Sequence, residues 1–177
     1  MRMKIKIIYY LTIFFFSLSL MTPSILFDPS IGYEKIKVKY RWLTPQLYNF
    51  IYYESRRFNV PIEKICAIIQ SESEGDPRAI SKSKARGLMQ IMPCHYQKGD
   101  VSDLYDPKLN IYLGTKYYKW CEQFSKGNME RALMAYNAGP ALSPGMYPKK
   151  LYEDYVLVII DNYKETKRLM EKPYIIR

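Results

Sequence analysis

Beyond residue 44, apolar positions recur three and four apart, the spacing that gives a helix one apolar stripe. Thr44-Pro45 reads as a helix start with Pro at the first helical position, and Leu47, Phe50, Ile51 and Tyr53 continue it. Asn59-Val60-Pro61 opens a second helix carrying Ile62, Ile65, Ile68 and Ile69, which Gly75 and Pro77 end soon after Glu74. A loop rich in Ser, Lys and Arg covers 78–86, followed by the short apolar piece Gly87 to Met92 and Pro93. Asp106-Pro107 begins a third, long helix with Leu109, Leu113, Tyr117, Trp120 and Phe124 on one stripe. Lys126-Gly127-Asn128 breaks it, and Asn128 caps a fourth helix, Met129 to Asn137, stopped by Gly139-Pro140. Pro144, Gly145 and Pro148 make a loop before a last helix, about Tyr152 to Met170.

Two upstream segments follow other rules. From 28 to 43, Lys35, Lys37, Lys39 and Arg41 alternate with Ile36, Val38, Tyr40 and Trp42. That period of two predicts an extended segment, an edge strand or ordered basic linker with one charged and one apolar face. Before it, Arg2, Lys4 and Lys6 precede an uncharged run from Ile7 to Phe27, the pattern of an export signal. Ser17-Leu18-Ser19-Leu20 matches a cleavage site poorly, and the run approaches the length of a membrane span, so 1–27 is either a signal or a retained anchor. The expected organisation is 1–27 for export, 28–43 as linker, one helical domain over 44–171 and a tail of 172–177. The expected location is the periplasm or cell envelope, membrane-anchored if 1–27 is retained.

Charge and cysteine usage narrow the partners. The 177 residues carry a net charge of +10 with a pI near 9.4, which suits an anionic partner such as nucleic acid, a headgroup layer or the cell wall. The basic residues are scattered and no nucleic-acid reader motif is present, which argues against nucleic acid. His95 is the only histidine and no C-x-x-C pair exists, so neither a metal nor a cofactor is expected. Cys66, Cys94 and Cys121 read as three small thiols, with Cys94–Cys121 the pair to expect if one bridges after export.

Glu72 is the residue to explain. At about 100° per residue it falls among Ile65, Ile68 and Ile69 on the second helix. A carboxylate within an apolar stripe is partly desolvated, which raises its pKa and equips it as a general acid. The other reading of the same periodicity is a glutamate at the core edge, paired with a Lys or Arg. Glu74 falls on the opposite side of the helix, Asp76 suits a turn and Asp106 a helix cap. None stands out as the second carboxylate that ordinary glycosidases require.

Five ordered blocks resemble the soluble lytic murein transglycosylase family. They are Ile68-Ile69-Gln70-Ser71-Glu72-Ser73 with Asp76-Pro77-Arg78-Ala79-Ile80-Ser81; Gly87-Leu88-Met89-Gln90-Ile91-Met92-Pro93; Asp106-Pro107 with Asn110-Ile111 and Gly114; Ala135-Tyr136-Asn137-Ala138-Gly139-Pro140; and Tyr155-Val156. The resemblance covers roughly Thr44 to Met170. It implies a lysozyme-like, mainly α single domain with a groove for peptidoglycan glycan strands, and Glu72 as the sole catalytic residue. Ser81, Gln90 and Asn137 would then bond the sugar or its acetamido group, Met92 and Tyr136 would wall it, and Tyr155 would orient Glu72. Gly87 reads as backbone geometry rather than contact. The family's members also serve secretion or flagellar assembly, which leaves an assembly partner open. Two departures stand out: the family commonly has an aromatic residue where this chain has Gly75, and Cys94, His95 and Lys98 match no family pattern. A hydrolytic lysozyme on the same scaffold and a non-catalytic peptidoglycan-binding protein are the alternatives.

Overall fold

The computed structural model describes residues 29–140 and 148–174. The segment 1–27, the loop residues Pro144 and Gly145, and the last three residues of the tail lie outside them. Helices dominate: α1 Pro29–Ile36, α2 Pro45–Phe58, α3 Ile62–Ser73, α4 Pro107–Phe124, α5 Met129–Ala138 and α6 Val158–Glu171. A single turn, Lys149–Leu151, and a π-helical stretch, Tyr152–Leu157, lead into α6. Short 3-10 turns occupy Pro93–His95 and Val101–Tyr105. Among the described residues the only β pairing is a set of isolated antiparallel bridges, Ile80 with Arg86 and Arg86 with Ile91.

The helix starts follow local chemistry. Thr44 Oγ1 accepts the Leu47 amide, Asp106 Oδ1 accepts that of Leu109 at 2.7 Å, and Asn128 Oδ1 accepts that of Arg131 at 2.9 Å. Each cap satisfies an otherwise orphaned N–H and stabilises its helix by about 1 kcal/mol. Asn59 and Glu74 close α2 and α3 in the left-handed conformation, at φ 51° and 53°. α3 lies at the centre: Ile65, Cys66, Ala67, Ile68 and Ile69 are fully buried, and α3 packs against both α2 and α6. α4 packs between α2 and α5.

Residues 29–36 form a helix, which overturns the extended reading of this segment. Gly32, Ile36 and Tyr40 are buried at a spacing of four, while Val38, expected on the same apolar face, is 81% exposed. The cause is tertiary. Lys35 Nζ donates to Met170 O at 2.6 Å, Lys39 Nζ pairs with Glu165 and donates to Asn162 Oδ1, and Tyr40 and Thr166 share a buried hydroxyl bond of 2.6 Å. One side of the segment thus seats on α6 through lysine stems as well as apolar groups. The two faces are set by the partner helix, not by alternation.

The next residue of the segment explains Gly75. Trp42 lies over the end of α3, where its Nε1 donates to Gln70 Oε1 at 2.8 Å. A Cβ on Gly75 would stand 2.0 Å from Trp42 Cγ, and φ there is 84°. The aromatic ring at this helix end therefore comes from residue 42, and only glycine fits beside it.

The stripe on α4 also differs from a core face. Its buried residues are Asn110, Ile111, Gly114, Thr115, Tyr118 and Cys121, whereas Trp120 and Phe124 are 44% and 57% exposed. All three cysteines are free. The Cys94–Cys121 pair does not form, because Cys121 points into the core and Cys94 sits on an exposed 3-10 turn.

Candidate active site

The loop 79–92 is folded by its own backbone and pinned from two sides. Arg86 and Ile91 exchange both backbone bonds, and the Gly87 amide donates to Ala79 O at 2.9 Å. Gly87 and Gln90 take positive φ values of 77° and 49°. From α3, Ser73 Oγ donates to Leu88 O at 2.8 Å. From α4, the fully buried Asn110 accepts the Met89 amide at 2.7 Å and donates to Arg86 O and Leu104 O. These bonds use three of the four that its amide group can make. Gly114 lets α4 approach closely, since a Cβ there would lie 2.5 Å from Met89. Tyr136 on α5 completes the frame by donating from its hydroxyl to Met89 O at 2.8 Å.

This frame holds open a cavity of about 270 Å³ beside the last turn of α3. Glu72, Ser81, Gln90, Met92, Tyr136 and Asn137 all line it. Tyr155 stands behind: its hydroxyl donates to Glu72 Oε1 at 2.5 Å, and Asn137 hydrogen-bonds Tyr155. The seven residues singled out in the sequence thus meet in one place, though they come from α3, the loop, α5 and the π-helical stretch. Tyr155 lies in that stretch, and such widened turns recur at functional sites because they re-aim one side chain.

Glu72 is half-buried, open to the cavity yet enclosed by the apolar face of α3. Burial pushes its carboxyl up to about 7, and the Tyr155 hydrogen bond pulls more weakly the other way. With Oε1 occupied by Tyr155, Oε2 is the oxygen left to carry a proton toward a ligand. No second carboxylate lines the cavity among the described residues. No group of three or more His, Cys, Asp or Glu side chains among them is placed to hold a metal ion.

Four aspartates outside the cavity take structural roles. Asp76 Oδ1 accepts the Arg78 amide, Asp100 and Asp106 cap the helices they precede, and Asp103 accepts the Tyr96 hydroxyl. Gln90 Nε2 donates to Ala79 O and Gly87 O, which leaves its carbonyl oxygen as the free polar group. Ser81 Oγ accepts the Ala85 amide at 3.0 Å.

Sequence reasoning passed over Ser83, Ala85, Ile91, His95 and Tyr117, which line the same cavity. Ile91 lay inside a quoted block and Tyr117 on the α4 stripe, so both carried a signal. His95 carried none: its place follows from the 3-10 turn, which brings its ring to 4.7 Å from that of Tyr117.

Comparison with known proteins identifies the family and the fold. The pattern of the transglycosylase SLT domain matches residues 49–143. The chain is 36% identical over 133 residues to membrane-bound lytic murein transglycosylase E of Buchnera aphidicola subsp. Baizongia pistaciae, covering 64% of this chain and 60% of that protein. It is 36% identical over 86 residues to a transglycosylase of Enterobacteria phage PRD1, covering 48% of this chain and 32% of the relative. It thus spans between about a third and three fifths of the length of these curated relatives. Among solved structures, the 70 kDa soluble lytic transglycosylase Slt70 of Escherichia coli superposes with a TM-score of 0.62 at 25% identity, over 70% of this chain and 24% of that one. With more than half of its residues matched by the domain pattern and the same helical fold, the chain belongs to the transglycosylase SLT domain family.

Proposed function

We propose that this chain is a lytic murein transglycosylase that cleaves the bond between N-acetylmuramic acid and N-acetylglucosamine, with Glu72 as acid and then base. The observation that carries the reading is a single carboxyl group on the cavity wall, held near pKa 7 by burial and oriented by Tyr155. A carboxylic acid that keeps its proton near neutral pH can protonate a glycosidic oxygen, and its anion can then serve as a base.

In the first step the proton on Glu72 passes to the bridging oxygen as the C1–O bond breaks. The 2-acetamido group shares the positive charge at C1. In the second step the Glu72 carboxylate takes the proton of the muramic acid's C6 hydroxyl, and O6 bonds to C1. The first proton leaves on the freed N-acetylglucosamine hydroxyl and the C6 hydroxyl's proton restores Glu72, so no water is consumed and the product ends in a 1,6-anhydro ring. Gln90, Asn137 and Ser81 supply the polar groups for the acetamido and hydroxyl positions, and Met92 and the Tyr136 ring supply walls. The name of the Buchnera relative, which refers to murein, supports a cell-wall substrate, and the segment 1–27 fits an enzyme that works in the envelope.

Mass spectrometry of sacculi digested with the full chain tests this. Anhydro-muropeptides are the expected products, one water lighter than hydrolytic ones. Reducing-end products would replace the reading with a lysozyme, and no release at all would leave a binding protein.

A further inference from the structure

The first and last helices of the described fold meet at one end of the molecule. α1 and α6 run antiparallel: Lys35 Nζ donates to Met170 O, and about one turn further along, Tyr40 bonds the Thr166 hydroxyl. The start of α1 therefore lies beside the end of α6, and Tyr174, beyond that end, is close enough to Lys37 to interact with its charge. Ile31 and Tyr174 are 37% and 44% exposed. The acids here are matched, Glu34 with Lys37 and Glu171 with Lys167, whereas the exposed Arg168 and Lys172 have no carboxylate partner among the described residues. In the sequence the uncharged run from Ile7 ends at Phe27, and only Asp28 stands between it and Pro29. Two residue steps span at most about 7 Å, so whatever holds that run holds this end of the fold next to it.

We propose that this end, made by the start of α1, the end of α6 and Tyr174, is a lipid-facing surface that rests on the anionic headgroups of a bilayer. Three observations favour a lipid surface as the occupant. The first is reach: the neighbouring run approaches the length of a membrane span, and no linker lets the domain swing away from it. The second is charge. Over 29–41 one glutamate stands against three lysines and an arginine, and over 164–172 two glutamates stand against another three lysines and an arginine. Each cation near an anionic leaflet favours contact by about a factor of five. The third is the mixture. An exposed isoleucine and tyrosine among lysines and arginines suit an interfacial layer, where apolar groups sink in and cations meet phosphates. The cavity stays clear of this surface. α6 has 14 residues, about 20 Å, and Tyr155, which touches Glu72, precedes its far end. Nothing in this depends on what the cavity binds.

The test uses the full chain in lipid nanodiscs of phosphatidylcholine, alone or mixed with phosphatidylglycerol. Cys66 and Cys121 are buried, so Cys94→Ser leaves no exposed thiol, and one nitroxide is then placed by Ile31→Cys or, at the cavity loop, by Lys82→Cys. Collisions with oxygen, which concentrates in lipid, and with a water-soluble nickel chelate report the depth of each label. In the mixed bilayer the label at 31 should exchange nickel contact for oxygen contact, while the label at 82 stays in water. Arg168→Gln/Lys172→Gln should lower the docked-to-undocked ratio about thirtyfold, the weight of two cations, and added salt should lower it as well. Equal nickel access at 31 and 82 in both bilayers would overturn the proposal. Equal protection at 31 in both bilayers would show that the apolar run alone holds this end there, and would overturn the headgroup contact. Protection that persists in detergent would mark a contact between copies and overturn it too.

Discussion

Two helices carry apolar stripes that look alike in the sequence and do opposite things in the fold. On α3, Ile65, Ile68 and Ile69 are fully buried, and the stripe ends in a carboxylate. On α4, Tyr117, Trp120 and Phe124 continue a stripe of the same spacing, yet it ends in water. Periodicity reports that a helix has an apolar side and says nothing about what covers it. The covering is better read from the opposite side. Asn110, Ile111, Gly114, Thr115, Tyr118 and Cys121 are buried there, and Gly114 lets the loop come close, since a Cβ on it would lie 2.5 Å from Met89.

The contrast can be broken from its catalytic end first. Glu72→Gln should lower release of anhydro-muropeptides by about a thousandfold or more with an unchanged circular dichroism spectrum, the scale expected for losing the acid and the base together. Tyr155→Phe should reduce turnover by about ten- to a hundredfold, as removal of one charge-assisted hydrogen bond would. Its pH–rate profile should also move: without the bond that pulls the carboxyl down, Glu72 should lose its proton at higher pH than in the native chain. In the native chain, activity should fall as pH rises through about 7, where the carboxyl loses its proton.

Stability separates the two stripes directly. Ile68→Ala should cost about 2–5 kcal/mol by urea denaturation, because the surrounding side chains cannot close the cavity. Phe124→Ala should stay within about 0.5 kcal/mol, since its ring supports little that is buried. If the two variants lost equal stability, the distinction drawn between the stripes would fail. A smaller effect concerns the acid itself. Glu72 keeps its proton up to about 7 in the fold and up to about 4.5 when unfolded, so the native state binds more protons between those values. Stability from this group therefore falls as pH rises through that interval, and the deficit persists above it. Glu72→Gln should be more stable than the native chain at pH 8 by on the order of 1–3 kcal/mol, and equal to it near pH 4, by thermal melts at both values.

Much of the fold could be read before the structure because local signals agreed with tertiary ones. Thr44, Asp106 and Asn128 act as caps where their chemistry says they should, and Glu72 lies on the face that the spacing of Ile65, Ile68 and Ile69 indicated. The segment 29–43 misled because alternating lysines satisfy a period of two, while the segment's partner is a helix whose carbonyl and side-chain oxygens take the lysine tips. The site residues were found through short motifs, not through periodicity. His95 and Ser83, outside any motif, become neighbours of Glu72 only through a turn and a loop that spacing does not specify. Asn110 was noted for its place in a block, and its three bonds to the loop show why that place matters.

Trp42 has a practical bearing on how the protein can be cut. The stretch matched by the domain pattern starts at 49, seven positions past the indole that plugs the end of the Glu72 helix. A fragment trimmed to that border would leave a glycine facing a hole and Gln70 without its donor, besides shedding the tyrosine at 155. Anyone shortening this chain should keep everything from Pro29 onward, where the clamp on the last helix begins.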